Sequence, residues 1–400
     1  MKILTITTLF PNGNDAKHGV FVLNRLLQLL THHPDIEVKV IAPVPWFPFK
    51  VGAGALARYA KYVDVPAREQ VGGVDVLHPR YLVIPKVGMH LTPYFLRRAI
   101  EKAMRRLRNE GFDAEVIDGH YFFPDGVAVS RAAQRFGKPY VVTARGSDLS
   151  IAHDYPLAGQ MVKEAAEHAG AIITVCQDLR DSLLRLIPVG DKTSVLRNGV
   201  DLDFFTPPGD EDRRRLREQW QIADGQTLIA SVGNLIELKG HHLVIEAMRR
   251  LPEHCRLVIA GAGEERARLQ QSVQDAALGQ RVSFAGLLDQ VRLRTLYQAA
   301  DCLVLASSRE GWANVLLESM ACGTPVVATN RGGTPEVVTA PAAGVLVERT
   351  AEALATGIET VVRSSFSRAD TRAYAEQFDW AATSAGQHRI FSELAGRAQA

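Results

Sequence analysis

The sequence predicts an α/β protein built from two doubly wound parallel-sheet domains, and three observations carry that expectation. Short β-branched runs alternate with amphipathic stretches along the whole chain. Ten such runs are more than one open sheet holds comfortably. A Gly-, Pro- and Asp-rich interruption, NGVDLDFFTPPGD at Asn198–Asp210, also falls near the middle of the 400 residues, where a domain boundary would lie.

In the first half, Lys2–Thr8, Glu37–Ala42, Ala114–Asp118, Tyr140–Thr143 and Ala171–Val175 read as strands, with Phe21–Leu30 and Gln160–Ala169 among the helices between them. The opening MKILTITTLFPN has one Lys and alternating Thr, and it stops at Pro11-Asn12 without a small-residue cleavage site. It reads as the first strand rather than a leader peptide. A charged helix, Glu211–Trp220, follows the interruption. The second half then repeats the pattern with strands at Thr227–Val232, Arg256–Ala260, Val282–Ala285, Asp301–Ala306 and Pro325–Ala328. The expected partition is 1–200, 201–377 and a terminal helical stretch, 378–400, that opens with Phe378 and Trp380 and lies beyond any strand.

Apolar residues make up 46% and charged residues 22%, which excludes a disordered chain, a collagen-like repeat and a small disulfide scaffold. Residues 1–200 carry 25 Lys+Arg against 19 Asp+Glu, and residues 201–400 carry 21 against 25. The first half therefore suits an anionic partner better, but the excess falls well short of a nucleic-acid-binding domain, and no nucleic acid partner is expected. Cys176, Cys255, Cys302 and Cys322 are scattered in apolar stretches, as buried thiols of a reducing cytoplasm would be. No zinc-type cluster is present, and no apolar run reaches the ~18 residues of a membrane span.

Five segments could carry chemistry. SVGNLIELKGHH, Ser231–His242, leaves a strand, passes Gly233 and Asn234, and enters a helix after Lys239. A glycine that lets the backbone approach and a lysine at a helix start suit a phosphate. A solvated helix-start lysine is the plain alternative. REGWANVLLESMACGT, Arg309–Thr324, puts Glu310 in a loop before Gly311 and starts a helix near Asn314 that carries Glu318 on an apolar face. A carboxylate there needs a hydrogen-bond donor, either a ligand hydroxyl or a neighbouring protein group. TARGSDLS, Thr143–Ser150, sets Arg145, Gly146 and Asp148 after a strand, where open α/β sheets bind ligands. Asp118–Gly126 places His120 after another strand, as a catalytic or a structural histidine. Asn12–Val22 brings Lys17, His18 and Gly19 before the first helix, where they could cradle a phosphate or an acceptor hydroxyl. Gly261-Ala262-Gly263 lacks the third glycine of a dinucleotide fingerprint, and Asp201-Leu202-Asp203 reads better as an Asx-turn than as a metal carboxylate pair.

Taken together, these pieces resemble the retaining nucleotide-sugar glycosyltransferases of the family 4 class, which have the two-domain GT-B fold. The resemblance rests on His18-Gly19, RGSD at Arg145–Asp148, NGVD at Asn198–Asp201, VGNLIELKG at Val232–Gly240, GAGEE at Gly261–Glu265, the Glu310–Glu318 segment and FDW at Phe378–Trp380. It covers nearly the whole chain. It implies a nucleoside-diphosphate sugar donor, UDP- or GDP-linked, bound by the second domain around Gly233, Asn234, Lys239, Glu310, Gly311, Trp312, Ala313, Asn314, Val315 and Glu318. Lys239 and the amides around Ala313–Val315 would hold the diphosphate, Glu310 the sugar hydroxyls and Glu318 the ribose. Arg145 and His120 join Lys239 and Glu310 as candidate catalytic groups, and His18, Gly19 and Asp148 would face the acceptor. The terminal helix would cross back to the first domain. No metal and no cofactor are expected. Two positions depart from the family pattern: Asn234 stands where a basic residue is usual, and Arg145 where histidine often precedes Gly-x-Asp.

The acceptor is expected to be a glycan or a lipid-linked glycan, in envelope, exopolysaccharide or other glycoconjugate synthesis. Pro93–Glu110 is a basic amphipathic stretch, and Trp46-Phe47-Pro48-Phe49-Lys50 is an aromatic loop. Either could touch an anionic membrane at its cytoplasmic face, and the first also suits an ordinary core-facing helix with a solvated basic side. A sugar-nucleotide epimerase of the same architecture and a non-catalytic nucleotide-sugar-binding regulator are the alternative functions.

Overall fold

The β-branched runs do form strands, and their pairing divides the chain into two units. The computed structural model describes residues 1–46, 62–84, 88–364 and 367–399. One unit comprises Met1–Arg197 with Ala381–Ala400, and the other Asn198–Trp380. Of the aromatic loop noted above, residues 47–50 lie outside the described residues.

The strands of unit 1 are β1 Lys2–Ile6, β2 Glu37–Ile41, β3 Val44–Trp46, β4 Arg68–Val71, β5 Val74–Leu77, β6 Arg80–Leu82, β7 Val116–His120, β8 Tyr140–Ala144, β9 Ala171–Thr174 and β10 Thr193–Val195. Eight of them form one sheet in the order β10-β9-β8-β7-β1-β2-β5-β4, and β3 pairs with β6 in a separate ribbon. The sheet is not wholly parallel as the sequence suggests, because β4 and β5 form an antiparallel hairpin closed by Gly72-Gly73. β4 is short and polar but for its last residue (REQV) and β5 is only four residues long (VDVL), so neither gives a clear strand signal in the sequence. β7 and β8 are buried along their whole length, as central parallel strands covered by helices on both faces must be.

The terminal helix, Ala381–Gln399, belongs to unit 1. Its Ile390, Phe391 and Leu394 join Ile3, Val116, Val141 and Ile173 in one core cluster. Phe378 closes a short 3₁₀ turn and Trp380 is buried, both within unit 2, so the helix starts after the aromatic pair rather than with it.

Unit 2 continues with β11 Thr227–Val232, β12 Cys255–Ala260, β13 Val282–Gly286, β14 Cys302–Leu305, β15 Val326–Thr329 and β16 Gly344–Val347. They form a parallel sheet in the order β13-β12-β11-β14-β15-β16. This is the Rossmann order, and it reverses direction between β11 and β14. Strands β11 and β14 are buried throughout, and one core cluster runs from Ile229 and Val244 to Leu354 and Ile358. All four cysteines are buried and free.

Candidate active site

In a doubly wound sheet the loops after the two strands at the reversal diverge, leaving a crevice at the strands' carboxyl ends. In unit 2 those loops follow β11 and β14. The first ends in a 3₁₀ turn, Glu237–Lys239, and then Gly240. Gly240 has φ +68°, and a Cβ there would lie 2.2 Å from the carbonyl oxygen of Ala306, so only glycine lets the two loops lie backbone to backbone. The Ser308 N–H donates to the Leu238 carbonyl at 2.9 Å and ties them further.

This contact brings Lys239 Nζ within 2.5 Å of Glu310 Oε1. Ser307 Oγ donates to the same carboxylate oxygen at 2.6 Å. The two ion-pair side chains are 22% and 10% exposed, so the pair is partly shielded yet open to exchange with a ligand.

The helix Asn314–Ala321 begins beside it. Its N-cap, Ala313, offers no side-chain acceptor, which leaves first-turn amides for an anion. Asn198 explains the NGVD motif: its carbonyl accepts the Trp312 indole N–H at 2.9 Å, and its amide nitrogen donates to Asn314 Oδ1 at 3.2 Å. The buried Trp312 and Ala313 thereby fix the helix start, while Gly311, Asn314 and Val315 stay partly accessible. One turn on, Glu318 accepts the Tyr297 hydroxyl at 3.0 Å, and burial pushes its carboxyl up to about 7. Its protein donor is therefore a tyrosine, neither backbone nor a basic side chain.

Gly233 lies against the Lys239 stem, and Asn234 is exposed. His241, the first residue of the next helix, goes unnoticed in the sequence. It is 3% exposed, its Nδ1 lies 2.9 Å from Ser231 Oγ, and its Nε2 faces the Gly233-Asn234 backbone without a well-formed hydrogen bond among the described residues. A Cβ on Gly233 would lie 3.8 Å from that Nε2. Burial lowers the imidazole to about 4, so it is neutral at ordinary pH. If the Ser231 hydroxyl donates to Nδ1, the Nε2–H points toward the face of Gly233. The signal available was the first His of KGHH, but an i+2 position after a lysine does not by itself distinguish a ligand contact from packing.

Unit 1 reverses between β1 and β7, and its loops after β1, β7 and β8 interlock. Gly19 (φ +67°) sits where a Cβ would come within 2.2 Å of the Leu9 backbone. His18 Nε2 lies 2.9 Å from the Thr8 carbonyl. His18 also lines a small cavity of about 130 Å³ together with Tyr62 and His78. Asp125, which the sequence did not single out, accepts the Thr8 N–H at 2.6 Å and the Thr8 and Thr7 hydroxyls. Burial raises its carboxyl to about 7.

His120 is 2% exposed and held at both nitrogens: Nε2 lies 3.0 Å from Asp118 Oδ2, and Arg145 Nη2 lies 3.0 Å from Nδ1. If Arg145 donates to Nδ1, the imidazole is the neutral Nε2–H tautomer. Burial, which lowers its pKa, favours that form. Arg145 is itself lowered to about 10 by burial, despite Asp118 and Asp148, and its guanidinium stacks 4.9 Å from the Phe21 ring centroid. Asp148 is fully buried, and its carboxylate accepts the backbone N–H groups of Gly146 at 2.7 Å, Phe122 at 2.9 Å and Arg145 at 3.2 Å. It welds the loops after β7 and β8 together.

Asp201 forms the Asx-turn, its Oδ1 accepting from Phe204 N at 2.9 Å. Among the described residues one trio, His33, Asp35 and His388, brings ligand atoms within 4.8 Å of one another, at the edge of the unit 1 sheet where strands begin. The two imidazoles stack at 4.0 Å with 6° between their planes, which aims their lone pairs side by side rather than at one ion.

Two doubly wound units, one with a cation, a carboxylate and an uncapped helix start at its sheet reversal, place the chain in the class of two-unit doubly wound α/β proteins with a phosphate-type ligand crevice. Comparison with known proteins narrows this. A family model described as Glycosyltransferase Family 4 matches residues 35–204, and one described as Glycosyl transferases group 1 matches residues 212–378. The chain is 31% identical over 311 residues to a D-inositol 3-phosphate glycosyltransferase of Xylanimonas cellulosilytica, covering 72% of this chain and 74% of that protein. It is 28% identical over 335 residues to a Bacillus subtilis glycosyltransferase named for teichuronic acid biosynthesis, covering 83% of this chain and 82% of that protein. Among solved structures, a sucrose-phosphate synthase of Thermosynechococcus elongatus superposes with a TM-score of 0.81 at 21% identity, over 98% of this chain and 99% of that one. HepE of Anabaena, solved with UDP-glucose, gives 0.75 at 21% identity over 98% and 100%. The chain belongs to the GT-B glycosyltransferases of the family 4 type.

Proposed function

We propose that this glycosyltransferase moves a sugar, with retention of anomeric configuration and without a metal, from a UDP- or GDP-linked donor to a hydroxyl of a glycan or lipid-linked acceptor in envelope or other glycoconjugate synthesis. The observation that carries the reading is the Lys239–Glu310 pair beside the uncapped start of Asn314–Ala321, at the reversal of the unit 2 sheet. Breaking the anomeric C–O bond builds positive charge on the sugar and negative charge on the departing diphosphate. Lys239 and the helix-start amides, with the Asn314 N–H exchanging its 3.2 Å bond to the Trp312 carbonyl and the Val315 N–H beside it, stabilise the diphosphate as that charge develops. When the donor enters, Glu310 exchanges its lysine for sugar hydroxyls, and Glu318 accepts the ribose hydroxyls.

The acceptor oxygen forms the new bond to the anomeric carbon on the face the diphosphate leaves, and its proton passes to the leaving phosphate oxygen. No protein nucleophile is needed. On unit 1, His18, Gly19 and His120 shape the acceptor side, Asp148 positions that side through backbone amides, and Arg145 reads an anionic group of donor or acceptor. The UDP and UDP-glucose held by HepE in its structures support a nucleotide-sugar donor. Four free buried thiols support a reducing, cytoplasmic site of action. The exposed basic side of Thr92–Asn109 supports contact with anionic lipid at the inner membrane face. Among the described residues, no helix is long and apolar enough to cross a membrane.

The test is transfer from a panel of UDP- and GDP-sugars with EDTA present, with the product's anomeric configuration read by NMR. Lys239→Ala lowers kcat/KM by about 10- to 150-fold, the equivalent of a charge-assisted hydrogen bond of about 1.5–3 kcal/mol. Normal turnover by Lys239→Ala, an inverted product, or activity abolished by EDTA would overturn the reading. Donor isomerised without acceptor would make the chain an epimerase.

A further inference from the structure

Away from the strand-end loops, unit 1 contains a second concave site. The helix Thr92–Asn109, β6 and the end of the helix Val127–Phe136 enclose a cavity of about 530 Å³. Six basic side chains line it, Arg80, Arg97, Arg98, Lys102, Arg105 and Arg135, against a single carboxylate, Glu101. The i, i+4 spacing sets Arg97, Glu101 and Arg105 in one row of the helix and Arg98 and Lys102 in the next.

Glu101 organises the cluster. It is 6% exposed, and around its carboxylate lie Arg105 Nη2 at 3.3 Å, Arg135 Nε at 3.5 Å and Arg97 Nε at 3.6 Å. One negative charge gathers three guanidinium groups and neutralises the equivalent of one, and its Oε1 has no hydrogen bond. Arg80 is held by neutral acceptors, the carbonyls of Tyr62, Val63 and Val65, so its charge is fixed in place without being cancelled. Arg98 and Lys102 are exposed and make no ion pair among the described residues. Arg98 rests on Tyr94, 5.9 Å from its ring centroid, with its guanidinium donating to the hydroxyl at 3.2 Å.

A concave surface with this surplus of positive charge focuses potential on an anion. Guanidinium forks match the paired oxygens of a phosphoryl group, and a dianion offsets the surplus better than a carboxylate does. The volume exceeds that of a bare ion and falls within the range of small-molecule sites. Tyr81, Leu82 and Phe95 line the same cavity and offer apolar contact for an organic body.

We infer that this cavity binds a phosphate ester, a dianionic phosphoryl group on a compact organic body, at a site separate from the strand-end loops. The inference stands whether or not the chain transfers sugar. Its ligand is either a soluble phosphate ester or the phosphate headgroup of a lipid, and both share this chemistry.

The test measures binding of glycerol 3-phosphate by calorimetry, with glycerol as the uncharged control, and of phosphatidylcholine vesicles with and without phosphatidic acid by co-sedimentation. It compares the wild-type chain with Arg98→Ser/Lys102→Ser and with Lys239→Ala. The double variant is expected to bind at least about tenfold more weakly, since it removes two of the six cationic side chains that line the cavity, and Lys239→Ala to bind as wild type does, since Lys239 lies in unit 2. Saturable binding of glycerol 3-phosphate identifies a soluble ester, and binding of phosphatidic acid vesicles alone identifies a lipid headgroup. The inference is overturned if neither probe binds, if the double variant binds like wild type, or if binding is lost in Lys239→Ala instead. Should the double variant melt early, Arg98→Lys keeps the charge and removes the fork. It must then show a smaller but measurable loss.

Discussion

Replacing Glu318 by glutamine changes one titrating proton and almost no volume, so it isolates the electrostatics of the site. In the folded chain, burial pushes the Glu318 carboxyl to about 7 from an ordinary 4.5, and the Tyr297 hydroxyl opposes this without cancelling it. The folded state therefore keeps a proton that the unfolded chain releases. The stabilisation from that retained proton is complete below pH 4.5 and is lost as pH rises through about 7. The span of about 2.5 pH units corresponds to about 3 kcal/mol, at 1.36 kcal/mol per unit. Glutamine has no proton to lose. The stability of wild type relative to Glu318→Gln should thus fall by about 3 kcal/mol between pH 4.5 and 8, which for a unit of this size moves the difference in Tm by roughly 6–12 °C. Thermal melts of both proteins across that range at constant ionic strength read it directly. If the two Tm profiles run parallel, the carboxyl is not desolvated and the argument from burial fails. The same proton controls the proposed ribose contact. Donor affinity should strengthen in wild type as pH rises through about 7, when the carboxylate can accept two hydroxyls, and stay flat in the glutamine variant.

Two further outcomes follow from the unit 2 loops. Gly240→Ala forces φ +68° on a residue with a Cβ 2.2 Å from the Ala306 carbonyl, so it should cost more than about 2 kcal/mol and separate Lys239 from Glu310. A melting temperature equal to wild type would show that the loops are not in backbone contact. His241→Phe keeps the ring's bulk and removes the Nε2–H, so donor Kd should rise about fivefold, one hydrogen bond of roughly 1 kcal/mol, and by the same factor at every pH between about 5 and 8, because the imidazole stays neutral there. Unchanged donor binding would make His241 a packing residue.

Much of the fold was legible because its signals are local. Thr227–Val232 reads as a strand with the bounds the structure gives it, since six consecutive buried positions need an unbroken apolar or β-branched run. Tyr140–Thr143 and Val282–Ala285 fall one residue short for the ordinary reason that strand ends fray into loops. The β4–β5 hairpin and the β3–β6 ribbon were not legible, because each of these strands is only three or four residues long, and β3, β4 and β6 carry few buried side chains, so there is little periodicity to read. At the site, Lys239, Glu310 and Glu318 stood out as charges among apolar and glycine-rich neighbours. Asp125 and His241 did not, since nothing in their flanking residues shows that they are buried.

The amino-acid sequence by itself determined the alternation of strand and helix, the Gly-, Pro- and Asp-rich interruption at Asn198–Asp210, the glycines at tight turns and which segments leave the strands' carboxyl ends. Those are decided by side-chain period and backbone freedom within a few residues. The tertiary structure alone decided which of those ends meet. Lys239 reaches Glu310 across 71 residues because β11 and β14 happen to be neighbours at the reversal of the sheet. Asp148, which the sequence offers as an acceptor contact, has its carboxylate taken up by three backbone amides drawn from two loops. Strand order is set by long-range packing and loop closure, whose energies are shared among many residues, so no local pattern records it.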